Sequence, residues 1–132
     1  MLAFNHTALF VSNLAESTRF YTELLGFSVV TSYPMPNDGR ITYLRGDGGQ
    51  IELVNNPGVA RPTEPPKLGP AAGMRHIAFK TDDLDGLAAR LQEAGVRFRT
   101  LPRVAGSGNG RLMFFYDPDF IEIEVIQRDT DW

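Results

Sequence analysis

The stretch His6-Thr-Ala-Leu-Phe-Val11 decides the fold, because the chain repeats its pattern in His76-Ile-Ala-Phe-Lys-Thr81. Each opening stretch has a matching closing stretch, which is Ile51-Glu-Leu-Val54 in the first half and Ile123-Glu-Val-Ile126 in the second. The chain has 2 histidines, one in each opening stretch, and each closing stretch carries a glutamate at the same place. A repeat of this kind indicates two modules that are not stable alone and that bury a common face.

Both halves of the sequence predict the same order of elements, βαβββ. Helix starts are indicated by Asp83 and by Asn13, which is followed three residues later by a glutamate as in a capping box. Gly26 and Gly95 end the two helices as left-handed caps, and Pro102 is expected to end a strand. The predicted strands are 4–11, 27–33, 40–45 and 50–55 in the first half and 75–81, 96–101, 111–116 and 120–127 in the second.

These elements predict one α+β domain over residues 1–132, with a first module at 1–56, a Pro/Gly-rich linker at 57–73 and a second module at 74–129. Proline fixes φ and removes a backbone donor, so neither a helix nor a central strand continues through the linker. We expect two four-stranded sheets, mixed or antiparallel, with a helix behind each. Together they would form a curved β-sheet around a central metal cavity.

Length and charge limit what the chain can bind. Its formal net charge of -3 argues against nucleic acid, because phosphate binding needs a basic face. It has no cysteine, which excludes disulfides, thiolate ligands and a cysteine nucleophile. No apolar run approaches the roughly 20 residues that span a bilayer, and the N-terminus lacks the basic region of a signal peptide. We therefore expect a cytoplasmic protein that acts on a small molecule, without a membrane partner.

The repeated His and Glu predict a metal site. His6 and His76 lie on the opening strands and Glu52 and Glu124 on the closing strands, so each pair shares one face if the two strands are neighbours. Two imidazoles and two carboxylates with open positions suit a divalent ion such as Zn²⁺, Ni²⁺, Co²⁺, Fe²⁺ or Mn²⁺. Taken singly, each side chain is more often an ordinary core or surface residue, and only the matched positions favour the metal.

Further residues are expected around this site. Alternation along the first strand puts Phe10 on the metal-binding face, where it gives the pocket an apolar floor. Glu122 has the same parity as Glu124, but the repeat aligns Glu122 with Gln50, so we predict Glu122 to be a rim or solvent carboxylate. Arg111 is a candidate for binding an anionic part of the substrate.

The sequence resembles the vicinal oxygen chelate superfamily in its βαβββ repeat and in three phrases, which are Phe20-Tyr21 followed by Leu25-Gly26-Phe27, Gly73-Met-Arg-His-Ile-Ala-Phe79 and Asp117-Pro-Asp119. That family includes glyoxalase I, methylmalonyl-CoA epimerase, extradiol dioxygenases, fosfomycin-resistance transferases and metal-free drug-binding proteins. The resemblance covers nearly the whole chain and implies the fold described above. The reaction depends on the site, because one scaffold hosts several chemistries.

Within this family, the glyoxalase I ligand pattern of His, Glu, His and Glu is similar to His6, Glu52, His76 and Glu124, position by position. The short bacterial type often prefers Ni²⁺ or Co²⁺ to Zn²⁺. The resemblance implies a lyase or isomerase that detoxifies methylglyoxal as its hemithioacetal with glutathione, through a metal-chelated enediolate. It gives Glu124 the role of the base that moves the proton, with Glu52 as its counterpart.

The residues around the substrate depart from that pattern. Asn56 matches a glutathione-contacting Asn of glyoxalase I, but Phe10 stands where that enzyme usually has an arginine that grips a glutathione carboxylate. Phe120 replaces the glycine of the usual Asp-Pro-Asp-Gly turn, which predicts a different turn geometry. Another thiol adduct, a methylmalonyl-CoA epimerase-like reaction, an Fe²⁺ extradiol-type dioxygenase and a non-catalytic binding protein stay open. The resemblance also implies a homodimer, because sites in this family are often assembled across two chains.

Overall fold

Both halves of the chain fold in the predicted βαβββ order. The computed structural model describes residues 1–67 and 69–130, so residue 68 of the expected linker and the last two residues of the expected domain lie outside the described residues. The chain divides into two compact units, Met1–Thr63 and a second one that begins at Glu64. Between Asn55 and Ile77 the described residues form neither helix nor strand.

Within the described residues, each unit has four strands and one α-helix, which confirms the predicted α+β class. The first unit contains β1 (His6–Phe10), α1 (Leu14–Arg19), β2 (Ser28–Pro34), β3 (Arg40–Gly46) and β4 (Gly49–Asn55). The second unit contains β5 (Ile77–Lys80), α2 (Leu84–Glu93), β6 (Phe98–Val104), β7 (Arg111–Tyr116) and β8 (Glu122–Gln127). In the part of the chain that the structure describes, no helix is both long and apolar enough to cross a membrane.

The two sheets have the same mixed topology, with strand orders β1-β4-β3-β2 and β5-β8-β7-β6. In each sheet the opening strand pairs in parallel with the closing strand, and the remaining pairs are antiparallel. The purely antiparallel alternative is therefore excluded. The topology makes β1 the neighbour of β4 and β5 the neighbour of β8, which is the adjacency that the His and Glu pairs require.

Alternation along the strands separates two faces of each sheet. In the first unit, α1 packs against β3 and β4, and Leu9, Leu44 and Leu53 are buried. In the second unit, α2 packs on the sheet, and Met113 and Phe115 of β7 are fully buried. Side chains of the opposite parity project from the other face, which we call the open face of each sheet.

The helix ends follow the predicted local signals. Oδ1 of Asn13 accepts a backbone N–H three residues on at 3.0 Å, and Oδ1 of Asp83 does the same at 2.8 Å. Gly26 and Gly95 have φ of 79° and 74°, the left-handed conformation that glycine adopts at low cost. One feature was not predicted: α1 continues as a π-helical segment over Phe20–Leu24.

The prediction that Pro102 ends a strand is wrong. Strand β6 passes through Pro102 to Val104, and β2 likewise includes Pro34. Both are edge strands, so a residue without an N–H breaks no central ladder. The pairing of β6 with β7 also shifts register between Thr100 and Arg103, which is the irregular stretch that contains the proline.

Strand β5 is shorter than expected and begins at Ile77. His76 therefore lies one residue before the strand, whereas His6 is the first residue of β1. Both histidines thus lie where the opening strand begins to pair in parallel with the closing strand, rather than in the middle of that pairing.

The turn before β8 contains a residue in the left-handed backbone conformation, although the sequence predicted a different turn geometry. Phe120 has a φ of 60°, so it adopts the conformation that a glycine would favour. Oδ1 of Asp117 accepts the N–H groups of Asp119 and Ile121 at 2.8 and 2.9 Å, and the Phe120 ring lies edge-on to Tyr116. These contacts hold a bulky residue in a strained position, so the expectation of another turn was wrong.

Candidate metal centre

The first unit brings His6 and Glu52 together on its open face. In the β1–β4 pairing His6 lies opposite Gln50, so Glu52 is two residues farther along the same face. Nε2 of His6 is 3.3 Å from Oε2 of Glu52, and both side chains are partly buried.

A neighbouring asparagine contacts the second ring nitrogen of His6. Nδ1 of His6 is 2.6 Å from Oδ1 of Asn5, a contact that favours the tautomer with its proton on Nδ1, because an amide oxygen only accepts. In the neutral ring, Nε2 then presents a lone pair to the Glu52 carboxylate. Two electron-pair donors that face each other at this distance need a cation between them, which is either a proton or a metal ion.

Tyr43 occupies the other oxygen of the same carboxylate. Its hydroxyl donates to Oε1 of Glu52 at 2.9 Å, and its ring lies edge-on to the His6 ring, with centroids 5.4 Å apart. The hydrogen bond to the Glu52 carboxylate raises the pKa of Tyr43 to about 12, so its hydroxyl is a donor at neutral pH. Both oxygens of Glu52 are thus engaged, Oε2 toward His6 and Oε1 by Tyr43.

The second unit repeats the pair with one difference. Nε2 of His76 is 2.9 Å from Oε2 of Glu124, and the His76 ring lies edge-on to Phe114 with centroids 5.4 Å apart. Phe114 lies opposite Glu124 as Tyr43 lies opposite Glu52. At this position the second unit has an apolar phenylalanine ring, whereas the first unit has a tyrosine that donates a hydrogen bond.

Glu122 is paired rather than free in solvent, so the solvent alternative of its prediction is wrong, while the rim position stays a prediction. Arg99 Nε is 2.8 Å from Oε2 of Glu122, and its Nη2 donates to Oε1 at 3.1 Å. The Arg99 guanidinium lies over the Phe114 ring at 4.0 Å from the centroid. Only 10% of the Glu122 side chain is exposed, and Oε1 is 3.9 Å from Nδ1 of His76. Glu122 therefore faces the second nitrogen of a candidate ligand.

The spacing of each pair suits two ligands on one ion. Ligands at about 2.1 Å from a metal lie roughly 3.0 Å apart at a right angle and roughly 3.4 Å apart at the tetrahedral angle. The two N–O separations, 3.3 and 2.9 Å, fall in or beside this range. Among the described residues, no three His, Asp or Glu side chains converge on one point, so neither unit alone supplies a set of three ligands.

Two further predicted site residues, Phe10 and Asn56, lie in the first unit. Phe10 lies on the open face with His6 and is 59% exposed. Asn56 follows β4, where its Oδ1 accepts from Nδ2 of Asn37 at 3.1 Å.

Arg111 lies on the opposite face of its sheet from Phe114, because the two residues differ in parity along β7. Its Nη1 and Nη2 donate to the Asp85 carboxylate of α2 at 2.7 and 2.8 Å. The second unit therefore does not bring Arg111 to its His–Glu pair, because the guanidinium is bound to Asp85 of α2 on the other face.

Three contacts of the site were not predicted, although one had a signal. A two-residue turn at Asp47-Gly48 puts Gly46 opposite Gly49, and counting back three positions puts Tyr43 opposite Glu52. Arg99 lies where the β6–β7 register shifts, so no regular count finds its position. The contact of Asn5 with His6 depends on side-chain rotation just before β1, which no periodicity predicts.

Comparison with known proteins assigns the family. A model of the Glyoxalase/Bleomycin resistance protein/Dioxygenase superfamily matches residues 3–125, and the chain belongs to this superfamily. YaeR of Escherichia coli (strain K12), an uncharacterized protein, is 33% identical over 129 residues, which cover 94% of this chain and 95% of YaeR.

Two solved structures show different uses of the same fold. The trypanothione-dependent glyoxalase I of Leishmania major is similar with a TM-score of 0.75 and 29% identity, over 96% of this chain and 87% of that one. TnmS3, an antibiotic binding protein from Streptomyces sp. CB03234, is similar with a TM-score of 0.70 and 29% identity, over 98% of both chains. The superfamily thus contains both an enzyme and a binding protein that are similar to this chain.

Proposed function

We propose that the chain is a divalent-metal-dependent lyase or isomerase of the glyoxalase I type, acting on the hemithioacetal of a 2-oxoaldehyde and a thiol. The observation that carries the proposal is the matched pair of contacts, Nε2 of His6 to Glu52 and Nε2 of His76 to Glu124, at 3.3 and 2.9 Å. In the tautomer that Asn5 favours, the first pair presents two electron-pair donors that one divalent cation would satisfy. We therefore assign His6, Glu52, His76 and Glu124 as the metal ligands.

These residues fit a Ni²⁺, Co²⁺ or Zn²⁺ ion, since imidazole and carboxylate are ordinary ligands of all three. Fe²⁺ and Mn²⁺ also fit, but this set of ligands is less selective for them. When bound, such an ion supplies Lewis acidity that makes the carbon-bound proton of the substrate easier to remove. Glu124 accepts that proton on a carboxylate oxygen and delivers it to the adjacent carbon, so the carboxylate is regenerated. The partners in the reaction are small molecules, and cytoplasmic methylglyoxal detoxification is the role that this chemistry would serve.

The identity of the thiol is a separate part of the proposal. Asn56, which follows β4, is a candidate contact to the thiol, as is exposed Phe10 on the open face. The name of the Leishmania major relative records a thiol other than glutathione. The assay therefore needs glutathione and trypanothione in parallel, each with methylglyoxal.

The decisive experiment measures activity against metal content. Metal-free protein is incubated separately with Ni²⁺, Co²⁺, Zn²⁺ and Mn²⁺, and thioester formation is then followed. We expect activity only with metal, and a loss of kcat of roughly 10²–10⁴-fold in Glu124→Gln, the usual contribution of a general base. Glu93→Gln on the exposed surface of α2 is the matched control. Turnover that survives Glu124→Gln would remove the proposed role of that residue.

A second candidate function is a non-catalytic binding protein. The observation that favours it is the exposed apolar ring of Phe10, together with the similarity to an antibiotic binding protein. Elemental analysis after metal-supplemented purification separates the two candidates. A full equivalent of metal supports the enzyme, whereas a small fraction of an equivalent supports the binding protein.

A further inference from the structure

The two units differ at the residue that lies across the sheet from each site carboxylate. Tyr43 is opposite Glu52, and Phe114 is opposite Glu124. The Tyr43 hydroxyl donates to Oε1 of Glu52 at 2.9 Å. Within the second unit, the described residues donate no hydrogen bond to Oε1 of Glu124, and phenylalanine has no hydroxyl with which to do so. The two units therefore have the same pair of candidate ligands but differ in the residue that lies opposite the carboxylate.

We propose that Tyr43 is a positioning residue that fixes Glu52 as a metal ligand, and that the phenylalanine at 114 leaves Glu124 mobile enough to carry the proton. This inference rests on the proposed function and explains how two carboxylates at matched places have different tasks. Neither the ligand pattern nor the family name distinguishes the two glutamates in this way.

The contacts of Tyr43 explain its effect on the first pair. A hydroxyl that donates to a carboxylate makes a charge-assisted hydrogen bond, which is stronger than a neutral one. The same ring lies edge-on to His6, with an interplanar angle of 82°, so it also limits rotation of the imidazole. Tyr43 thus contacts both candidate ligands of its unit. Groups of this kind orient metal ligands from outside the coordination shell.

The task of Glu124 requires the opposite property. A base that takes a proton from one carbon and gives it to the next must move its carboxylate between two positions. Glu52 cannot move in this way without breaking its hydrogen bond from Tyr43. Phe114 contacts His76 through its ring, with an interplanar angle of 69°, and so retains the packing without restraining Glu124.

The test uses Co²⁺ binding, which is read from visible absorption and needs no substrate. In Tyr43→Phe we expect Co²⁺ affinity to fall by about 10–100-fold, the usual effect of removing such a partner, with a changed cobalt spectrum. Tyr116→Phe is the control, because it removes a hydroxyl of β7 whose ring packs on Phe120. Thermal unfolding of each variant measures any general loss of structure.

The reciprocal variant, Phe114→Tyr, tests the second half of the inference. The added hydroxyl should restrain Glu124, so we expect Co²⁺ affinity to be retained and kcat to fall by about 10-fold or more, with little change in KM.

The outcomes separate this inference from the proposed function. Unchanged Co²⁺ affinity and spectrum in Tyr43→Phe would overturn the inference alone, and unchanged kcat in Phe114→Tyr would overturn the role given to Phe114. If Phe114→Tyr fails to fold, the Tyr43→Phe titration decides, since that change only removes an oxygen. Wild-type protein that binds no Co²⁺, Ni²⁺ or Zn²⁺ would overturn the proposed function and the inference with it.

Discussion

His6 and His76 present the same nitrogen to a carboxylate, and in each case another acceptor faces the second nitrogen. For His6 that acceptor is Oδ1 of Asn5 at 2.6 Å, and for His76 it is Oε1 of Glu122 at the longer distance of 3.9 Å. The acceptor beside Nδ1 of His6 favours the tautomer that leaves Nε2 available for a metal, which is how metal-binding histidines are commonly oriented. The two histidines thus have different neighbours at Nδ1.

Phe10 carries the first prediction, which concerns the thiol. Its ring is 59% exposed on the open face, so an arginine at this position would reach solvent without displacing core. We expect Phe10→Arg to lower KM for the glutathione adduct by about 10-fold, because a charge-assisted hydrogen bond to a carboxylate is worth at least the 1.4 kcal/mol that corresponds to this factor. Steady-state kinetics with glutathione and with an uncharged thiol measure the effect.

The control for that experiment is Phe10→Leu, which removes the ring without adding charge. A KM for the glutathione adduct that falls equally in both variants would show that loss of the ring, and not a new carboxylate contact, changes substrate binding.

At this scale the sequence predicted the members of the two pairs but not their partners. The pairs follow from register: His6 and Glu52 share a face once β1 and β4 are neighbours. The pairing of Glu122 with Arg99 depends on an irregular stretch of β6, where alternation does not hold. Periodicity therefore predicted which faces the four candidate ligands occupy and missed what surrounds them.

Helix α2 explains why Arg111 is not at the site, and it supplies a pH-dependent prediction. The hydrogen bonds from Arg111 hold the pKa of Asp85 below its ordinary value of 3.8. A lowered pKa means that this contact stabilises the fold above about pH 4 and is lost as the pH falls through the folded pKa. We expect NMR titration of the Asp85 carboxyl to give a midpoint below 3.8 that returns to the ordinary value in Arg111→Gln.

The same variant also tests the function of Arg111. Because its guanidinium lies on the helix side of the sheet, Arg111→Gln should leave turnover unchanged. A large loss of turnover, with no change in the titration midpoint of Asp85, would instead indicate that Arg111 contacts the substrate.

Elements were predictable where their signals are local. Asn13, Asp83, Gly26 and Gly95 begin and end the helices as expected, since caps depend on a few adjacent residues. Strand ends were less predictable, because Pro102 is tolerated only by virtue of the edge position of β6. That position is set by the order of all four strands, which no local pattern contains.

At the scale of the whole molecule, each unit has two candidate ligands, whereas catalytic sites of this kind usually have at least three from protein. The proposed set of four ligands predicts one metal per chain. His6→Ala and His76→Ala should each abolish stoichiometric binding, as measured by Ni²⁺ titration calorimetry. Two independent sites would instead leave each variant with about half of the wild-type capacity.

Mixing these two variants distinguishes a site within one chain from a site across a homodimer. In a cross-chain arrangement each mixed dimer contains one intact site, so random reassortment should restore about a quarter of the wild-type capacity. No restoration after confirmed subunit exchange would place both pairs in one chain.

The irregular edge strands have a consequence for solubility. An exposed, regular edge offers a row of free backbone groups on which strands of other molecules can assemble into aggregates. Here β2 and β6 each contain a proline, and each shifts register against its neighbour, between Val29 and Thr31 and between Phe98 and Thr100. These features interrupt the template at the β2 edge of one sheet and the β6 edge of the other. Both halves of the repeat therefore carry features that hinder aggregation through these edges.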